Sequence, residues 1–122
     1  MYKRNKYKFE NLEVWEVSLE LADQVYEIVK LLPKSEEFNL KSQLRRAATS
    51  ISLNIAEGST AGTNAEQIRF LRISLRSLIE VIACLRLIEH RNYVLGPEQS
   101  NKTDLISNKL FAKLNAFITS LS

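Results

Sequence analysis

The chain has 122 residues, of which 45% are hydrophobic and 25% are charged. This length fits one domain, and this apolar share excludes a disordered chain. Three glycines and two prolines are too few for a fold with many turns, and they favour a few long helices. We therefore expect a single all-α domain over residues 1–122.

The net charge of +3 is concentrated at the amino terminus. The first eight residues contain no acid and carry four bases, Lys3, Arg4, Lys6 and Lys8. This basic arm, residues 1–8, is a candidate nucleic-acid contact, with a solvated terminus as the alternative. Cys84, the one cysteine, fits a reducing compartment, and no apolar run has the length of a signal peptide or membrane span. We expect a cytoplasmic protein that does not associate with membranes.

Two segments with helical periodicity fill the first half of the chain. The first covers residues 12–32 and ends before Pro33. Its predicted inward stripe is Trp15, Leu19, Ala22, Tyr26 and Val29. The second covers residues 39–57, with Asn39 as candidate N-cap and Gly58 as a predicted left-handed C-cap. Its inward stripe is Leu40, Leu44, Ala47, Ile51 and Ile55.

Two further helical segments follow. The third covers residues 64–92, and Thr63 with Glu66 has the form of a capping box at its start. Its inward stripe is Ile68, Leu71, Leu75, Leu78, Ile82 and Leu85. The fourth covers residues 97–120, and its apolar face contains Ile106, Leu110, Leu114, Phe117 and Leu121. Because the connections are short, the pattern predicts an antiparallel, up-down-up-down four-helix bundle.

The second and third helices carry more apolar residues than one bundle needs. The surplus positions are Leu53, Ala56, Phe70, Ile73, Val81, Leu87 and Ile88. A helix that is apolar nearly all round is buried on more than one side. We therefore predict that these seven residues form subunit contacts in a ring-shaped homo-oligomer.

The same two helices carry the remaining candidate nucleic-acid contacts. These are Lys41, Arg45 and Arg46 on the second helix and Arg69, Arg72 and Arg76 on the third. A basic patch of this kind would attract phosphate. The alternative is a subunit interface or a solvated face, on which Arg76 pairs with Glu80 one turn away.

No catalytic constellation is present in the sequence. His90 is the only histidine, Cys84 has no CxxC partner, and the glycines form neither a dinucleotide-binding nor a P-loop motif. We predict a non-enzymatic protein with no metal and no cofactor.

An ordered set of motifs over residues 9–95 resembles the bacterial four-helix bundle family named for 23S ribosomal RNA intervening sequences. Its most specific block is Gln43-x-Arg45-Arg46-Ala47-Ala48 followed by Ser50-Ile51-x-x-Asn54-Ile55-Ala56-Glu57-Gly58. The other matching positions are Phe9, Leu12, Val14, Trp15, Val25, Tyr26, Pro33, Leu40, Phe70, Leu71, Ser77 and Glu80. The chain departs from the family pattern at Ser52, where proline is frequent, and at Arg76, where glycine is usual.

The resemblance implies a homopentameric ring with no assigned catalytic residues. It also implies a fold similar to the accessory variability proteins of retroelements, which bind nucleic acid and a reverse transcriptase; this relation is one of fold only. Two hypotheses follow. One is a ring that binds RNA or DNA through basic surfaces, and the other is an assembly scaffold whose arginines serve subunit or protein-partner contacts.

Overall fold

A computed structural model describes residues 6–93 and 95–122. These residues form four α-helices and no strand, so the all-α fold class is confirmed: α1 is Glu13–Leu31, α2 Leu40–Gly58, α3 Asn64–His90 and α4 Pro97–Leu121. Each helix begins and ends within two residues of its predicted limits. Of the predicted basic arm, Lys3 and Arg4 lie outside the described residues. No helix in the described ranges is long and apolar enough to cross a bilayer.

The four helices pack as a square in which each one contacts its two neighbours. Contacts join α1 to α2, α2 to α3, α3 to α4 and α4 to α1. The diagonal helices α1 and α3 share none within the described ranges. Side-chain pairs run in opposite directions along neighbouring helices, since Arg46 contacts Glu80 while Ser50 contacts Ser77. Adjacent α2 and α3 are therefore antiparallel.

The inward face of α1 differs from the predicted one. Leu19 and Tyr26 are largely exposed, and the buried positions are Val14, Val17, Ser18, Leu21, Val25, Ile28 and Val29. The difference arises because α1 carries a second apolar stripe, Val14, Val17, Leu21, Val25 and Ile28, at the same spacings of three and four. The buried Ser18 beside it is satisfied, since its hydroxyl lies 2.9 Å from the hydroxyl of Ser52 on α2 and donates to the Trp15 carbonyl at 2.6 Å.

Gly58 does not have the left-handed conformation predicted for it. It belongs to α2, which is followed by Ser59 in helical geometry, and no glycine in the described ranges has a positive φ. A Cβ atom added to Gly58 would lie only 2.9 Å from Cβ of Phe70 on α3. Gly58 is therefore needed for the close approach of two helices rather than for a turn.

A buried carboxylate joins the two loops at one end of the bundle. Glu36 accepts a hydrogen bond from the Tyr93 hydroxyl at 2.6 Å, a second from Asn39 Nδ2 at 3.0 Å and a third from the Leu40 N–H at 3.5 Å. Tyr93 and then Asn39 are the main causes that hold the pKa of Glu36 below its ordinary value. Glu36, rather than the predicted Asn39 side chain, therefore caps the start of α2.

Replacing Tyr93 with Phe is expected to lower the stability that ionised Glu36 contributes. In the wild type this contribution is present above the ordinary pKa of 4.5 and is lost as pH falls through the lower folded pKa. The Tyr93→Phe variant lacks the main cause of the lowered pKa. Its urea midpoint should be lower at neutral pH and should fall less on acidification. Tyr26→Phe, an exposed change, is the control, and equal acid dependence in all three proteins would contradict the prediction.

Candidate nucleic-acid interface

The described part of the basic arm combines two free lysines with an aromatic cluster. Lys6 and Lys8 are exposed, and neither contacts a carboxylate within the described ranges. Between them, Tyr7 is 70% exposed, and its ring stacks on Phe9 with centroids 6.4 Å apart and planes 9° apart. Phe9 in turn packs edge-on against Trp15 at 4.6 Å. The cluster fixes the base of the arm on α1.

Local hydrogen bonding holds the chain in this conformation. Residues Lys8–Asn11 form a 3-10 helix, and the Tyr7 N–H donates to a Glu10 carboxylate oxygen at 2.7 Å. The last residue of the predicted arm, Lys8, thus belongs to a structured turn. The Tyr7 ring and the two lysines are presented from a defined backbone.

Lys41 and Arg45 share one carboxylate partner. Glu37 contacts Arg45 Nη2 at 2.7 Å and Lys41 Nζ at 3.5 Å. The hydrogen bond from Arg45 is the largest cause that holds the pKa of Glu37 below its ordinary value. These two basic side chains are therefore engaged by a carboxylate of their own chain, which makes them less available to the phosphates of a nucleic acid.

Arg46 also has a carboxylate partner, on the neighbouring helix. Its Nη2 lies 2.8 Å from a Glu80 oxygen, and it also contacts Gln43. This bridge links α2 to α3 and occupies the carboxylate that the sequence pattern assigns to Arg76. The predicted pair between Arg76 and Glu80 is wrong, because the antiparallel register of α2 and α3 places Arg46 opposite Glu80.

The three arginines of α3 differ in their partners. Arg69 contacts Glu66 at 2.7 Å, which raises the pKa of Arg69 and lowers that of Glu66, and its guanidinium lies 4.7 Å from the Phe70 ring centre. Only half of the predicted capping box forms, since Thr63 accepts the Glu66 N–H at 3.2 Å while the Glu66 carboxylate turns to Arg69. Arg72 and Arg76 are exposed and contact no carboxylate within the described ranges.

The described basic residues do not form one patch. Lys41 and Arg45 share a helical face with Ser52, which contacts α1, whereas the arginines of α3 lie on its outer side. The sequence interpretation did not identify Glu37, Glu66 and Glu80 as partners of these bases, since it assigned Glu66 to the capping box and Glu80 to Arg76. The i,i+4 spacing of Glu37 and Lys41 and the i,i+3 spacing of Glu66 and Arg69 are the signals that would have identified two of these pairs.

The seven candidate interface residues divide into three groups. Leu53 and Leu87 are about half exposed, at 53% and 50%. Ala56, Phe70 and Ile73 are partly buried. Val81 and Ile88 are 0% exposed and belong to the core of the bundle itself, so the prediction of an interface role for them is wrong.

The physical reason is that α3 is apolar on more than one side. The buried stripe of α3 runs through Leu71, Ser74, Leu78, Val81, Leu85 and Ile88, at spacings of three and four. Val81 and Ile88 thus continue the stripe that Leu71, Leu78 and Leu85 begin. The one polar member, Ser74, is satisfied because its hydroxyl donates to the Ile51 carbonyl of α2 at 2.8 Å.

The described residues offer no grouping that resembles a metal or nucleophile site. They contain no group of three or more metal-ligating side chains. Burial is the largest cause that raises the pKa of the Cys84 thiol, which disfavours the reactive thiolate. The single histidine, His90, is exposed at the last residue of α3.

The comparisons with known proteins agree with this architecture. The sequence model of the family described as 23S rRNA-intervening sequence protein matches residues 10–116. The chain belongs to the 23S rRNA-intervening sequence protein family. The resemblance carried by the Gln43–Gly58 block is thus confirmed. No protein with a curated description matches the chain.

A crystal structure is known for a similar protein. That protein has unknown function and belongs to the S23 ribosomal protein family of Bacteroides thetaiotaomicron. Its structure superposes on this intervening sequence protein with a TM-score of 0.76 and 27% sequence identity. The alignment covers 87% of this chain and 95% of that one. The four-helix architecture is therefore shared over nearly the whole length of both proteins.

Proposed function

We propose that this intervening sequence protein is a non-enzymatic, ring-shaped homo-oligomer, a pentamer, that binds RNA or DNA through its amino-terminal segment. One observation carries the proposal. Lys6 and Lys8 are exposed, have no carboxylate partner within the described ranges, and flank the exposed ring of Tyr7. The family name, which refers to an insert in 23S rRNA, is in keeping with a nucleic-acid partner.

The chemistry of this segment suits single-stranded nucleic acid. A lysine ammonium without a carboxylate partner is available to replace the counterions of a phosphate. An aromatic ring offers a face on which an unpaired base stacks without regard to sequence. Since Phe9 already covers one side of the Tyr7 ring, the opposite side is the one available to a base. We therefore expect unpaired RNA or DNA to bind more tightly than a duplex.

Self-association strengthens such a contact. Single-stranded sites with two lysines and one aromatic ring are weak alone, but a ring presents several copies to one strand, and each further contact becomes intramolecular. The exposed apolar residues Leu53 and Ile79 support subunit contacts, since they lie on the neighbouring helices α2 and α3.

Removing the two lysines is expected to change the salt dependence of binding. In the Lys6→Gln/Lys8→Gln variant, the slope of log affinity against log salt should become shallower by about 0.7 per lysine. The probe is a fluorescent oligouridylate, with anisotropy as the measurement. Lys34→Gln/Lys102→Gln, which removes two exposed lysines elsewhere, should keep the wild-type slope. If wild-type protein binds neither single strands nor duplex at low salt, the nucleic-acid proposal is wrong.

Removing the aromatic ring tests stacking separately. Tyr7→Ala should weaken oligouridylate binding by about 5- to 100-fold, since stacking one base is worth about 1–3 kcal/mol. The salt slope should stay unchanged, because no charge is lost. Phe38→Ala, which removes a 97% exposed ring between α1 and α2, is the control and should leave the affinity unaltered. Equal losses in both variants would indicate that the Tyr7 ring is not a stacking platform.

An assembly scaffold that binds no nucleic acid is the second candidate. The observation in its favour is that Lys41, Arg45, Arg46 and Arg69 all contact carboxylates of their own chain. Such residues stabilise contacts within or between subunits rather than binding phosphate. The salt-dependence experiment separates the two candidates, because a scaffold gives no binding signal while it still assembles.

A further inference from the structure

One face of the bundle carries an acidic stripe on α1. Glu16, Glu20 and Asp23 follow one another at spacings of four and three, so they share one side of the helix. All three are exposed, and none contacts a basic residue within the described ranges. Glu27 extends the stripe by another turn and contacts only Lys30, at 3.1 Å. We refer to Glu16, Glu20 and Asp23 as the acidic stripe.

The opposite face carries a basic stripe on α3. Arg72 and Arg76 are one turn apart, exposed and without a carboxylate partner within the described ranges. We refer to these two arginines as the basic stripe. Helices α1 and α3 lie on a diagonal of the bundle, so the two stripes face away from each other. A single copy cannot bring them together.

The two stripes lie at the same height along the bundle. Ser18 on α1 contacts Ser52 on α2, and Ser74 on α3 contacts the carbonyl of the adjacent Ile51. Consecutive helical residues rise by about 1.5 Å, so Ser18 and Ser74 are nearly level. Glu16 and Glu20 lie on either side of Ser18 along α1. The two arginines of the basic stripe lie on either side of Ser74 along α3. The opposite charges are therefore level with one another on opposite sides.

Exposed apolar side chains accompany each stripe. Leu19 and Tyr26 lie beside the acidic stripe, 41% and 45% exposed, and Ile79 lies beside the basic stripe. A subunit contact that pairs only exposed charges is worth little, because water screens them. Apolar area at both stripes supplies the burial that a stable contact requires, while the charges determine which faces meet.

We propose that the acidic stripe of one copy docks on the basic stripe of the next, so that each copy uses two different faces. This inference rests on the self-assembly in the proposed function and names its interface. Like faces repel one another, so a two-fold dimer through either stripe is disfavoured. A contact between two different faces builds a closed ring when the rotations from each copy to the next add up to a full turn. Because the stripes are level, successive copies do not shift along the bundle axis, which is a requirement of a closed ring.

Parallel helix direction is a second requirement of a ring, and the bundle meets it. In an up-down-up-down bundle α1 and α3 run in the same direction. Copies related by an axis along the bundle all point the same way, so α3 of one copy runs parallel to α1 of its neighbour. The contact assigns Arg72 and Arg76 to subunit association and leaves nucleic acid to the amino-terminal segment.

Charge exchange between the stripes tests the contact. Glu16→Arg/Glu20→Arg gives a copy with two basic faces, and Arg72→Glu/Arg76→Glu gives a copy with two acidic faces. By light scattering, each variant alone should lose the wild-type assembly. One chain that carries all four changes should assemble again, because its two stripes are once more opposite in charge. Circular dichroism confirms that each variant is folded, and Lys102→Glu/Lys109→Glu on α4 is the matched control.

The outcomes distinguish failure of this contact from failure of self-assembly. Wild-type protein that stays monomeric would contradict the proposed function itself. Assembled wild type with assembled stripe variants, or a four-change chain that stays dissociated, would overturn the stripe contact alone. Loss of assembly only in the α4 control would place the interface on α4. The four-change chain should also bind oligouridylate with the wild-type salt slope, since its lysines are intact.

Discussion

Replacing Ile88 with Ala is expected to lower the free energy of unfolding by about 2–5 kcal/mol. Ile88 is 0% exposed and lies on the buried stripe of α3. Deleting three of its carbon atoms removes burial and leaves a cavity that packed neighbours fill only in part. Urea unfolding followed by circular dichroism at one fixed protein concentration measures the change. The loss should appear in the stability of the fold itself.

The next residue along the chain supplies the matched control. Leu87 is 50% exposed, and Leu87→Ala should change the stability of the fold by less than about 0.5 kcal/mol. The sequence pattern assigns both residues to a subunit interface, whereas the structure separates them. Equal losses from the two substitutions would contradict the register of α3 described above.

Replacing Gly58 with Leu is expected to destabilise the protein by about 1–3 kcal/mol through overpacking. Even the first added carbon would lie 2.9 Å from Cβ of Phe70, well inside contact distance, and 3.5 Å from the Gln67 carbonyl oxygen. Phe70 Cβ is attached directly to the backbone of α3 and cannot turn away. The two helices must therefore separate, and thermal unfolding should report a lower midpoint.

Gly62 is the control for Gly58. A Cβ added to Gly62 meets nothing within 4 Å, so Gly62→Leu should leave the stability within about 0.5 kcal/mol of wild type. Leucine also favours helix over glycine by up to about 1 kcal/mol, which acts in favour of the Gly58 variant. A stable Gly58→Leu protein would show that α2 and α3 do not need this close approach.

The sequence predicts the helices well because their limits are marked locally. Pro33, Thr63 and Pro97 punctuate the chain, and the apolar period between them is helical. The inward stripe of α2 was predicted correctly, because all five of its residues are apolar and buried. In this helix the polar core position, Ser52, lies beside the stripe and leaves its direction unchanged.

The faces of α1 and α3 could not be decided from apolar period alone, because each helix carries more than one apolar stripe at helical spacing. On α1 the buried stripe is Val14, Val17, Leu21, Val25 and Ile28, and on α3 it continues from Leu78 through Val81, Leu85 and Ile88. Packing against the neighbouring helices selects between the stripes, and the buried Ser18 and Ser74 are satisfied by hydrogen bonds to α2.

At the candidate site, only ion pairs between residues close in sequence could be predicted. Arg69 pairs with Glu66 at a spacing of three, which a sequence reveals. The bridge from Arg46 to Glu80 depends on the register of α2 against α3, which the small contacts at Ser50 and Ser77 set. Such a pair can be identified only when the packing of the two helices against each other is known. The level position of the acidic and basic stripes has the same origin.

Together, these features separate two tasks on one small bundle. In the proposed assembly, opposite faces of α1 and α3 supply the subunit contacts, and the amino-terminal segment with Tyr7 supplies the nucleic-acid contact. Ion pairs such as Arg45 with Glu37 engage other basic residues within the chain. The proposed ring would present one basic, aromatic segment from each copy.

Self-assembly is the claim on which both tasks depend, and light scattering coupled to size exclusion tests it most directly. The full chain, measured over a range of concentrations, should give one closed species of uniform mass equal to five copies. That mass should stay constant on dilution until the ring dissociates, and it should fall at high salt as the stripes are screened. A monomer at high micromolar concentration, or a continuous series of growing masses, would contradict the account.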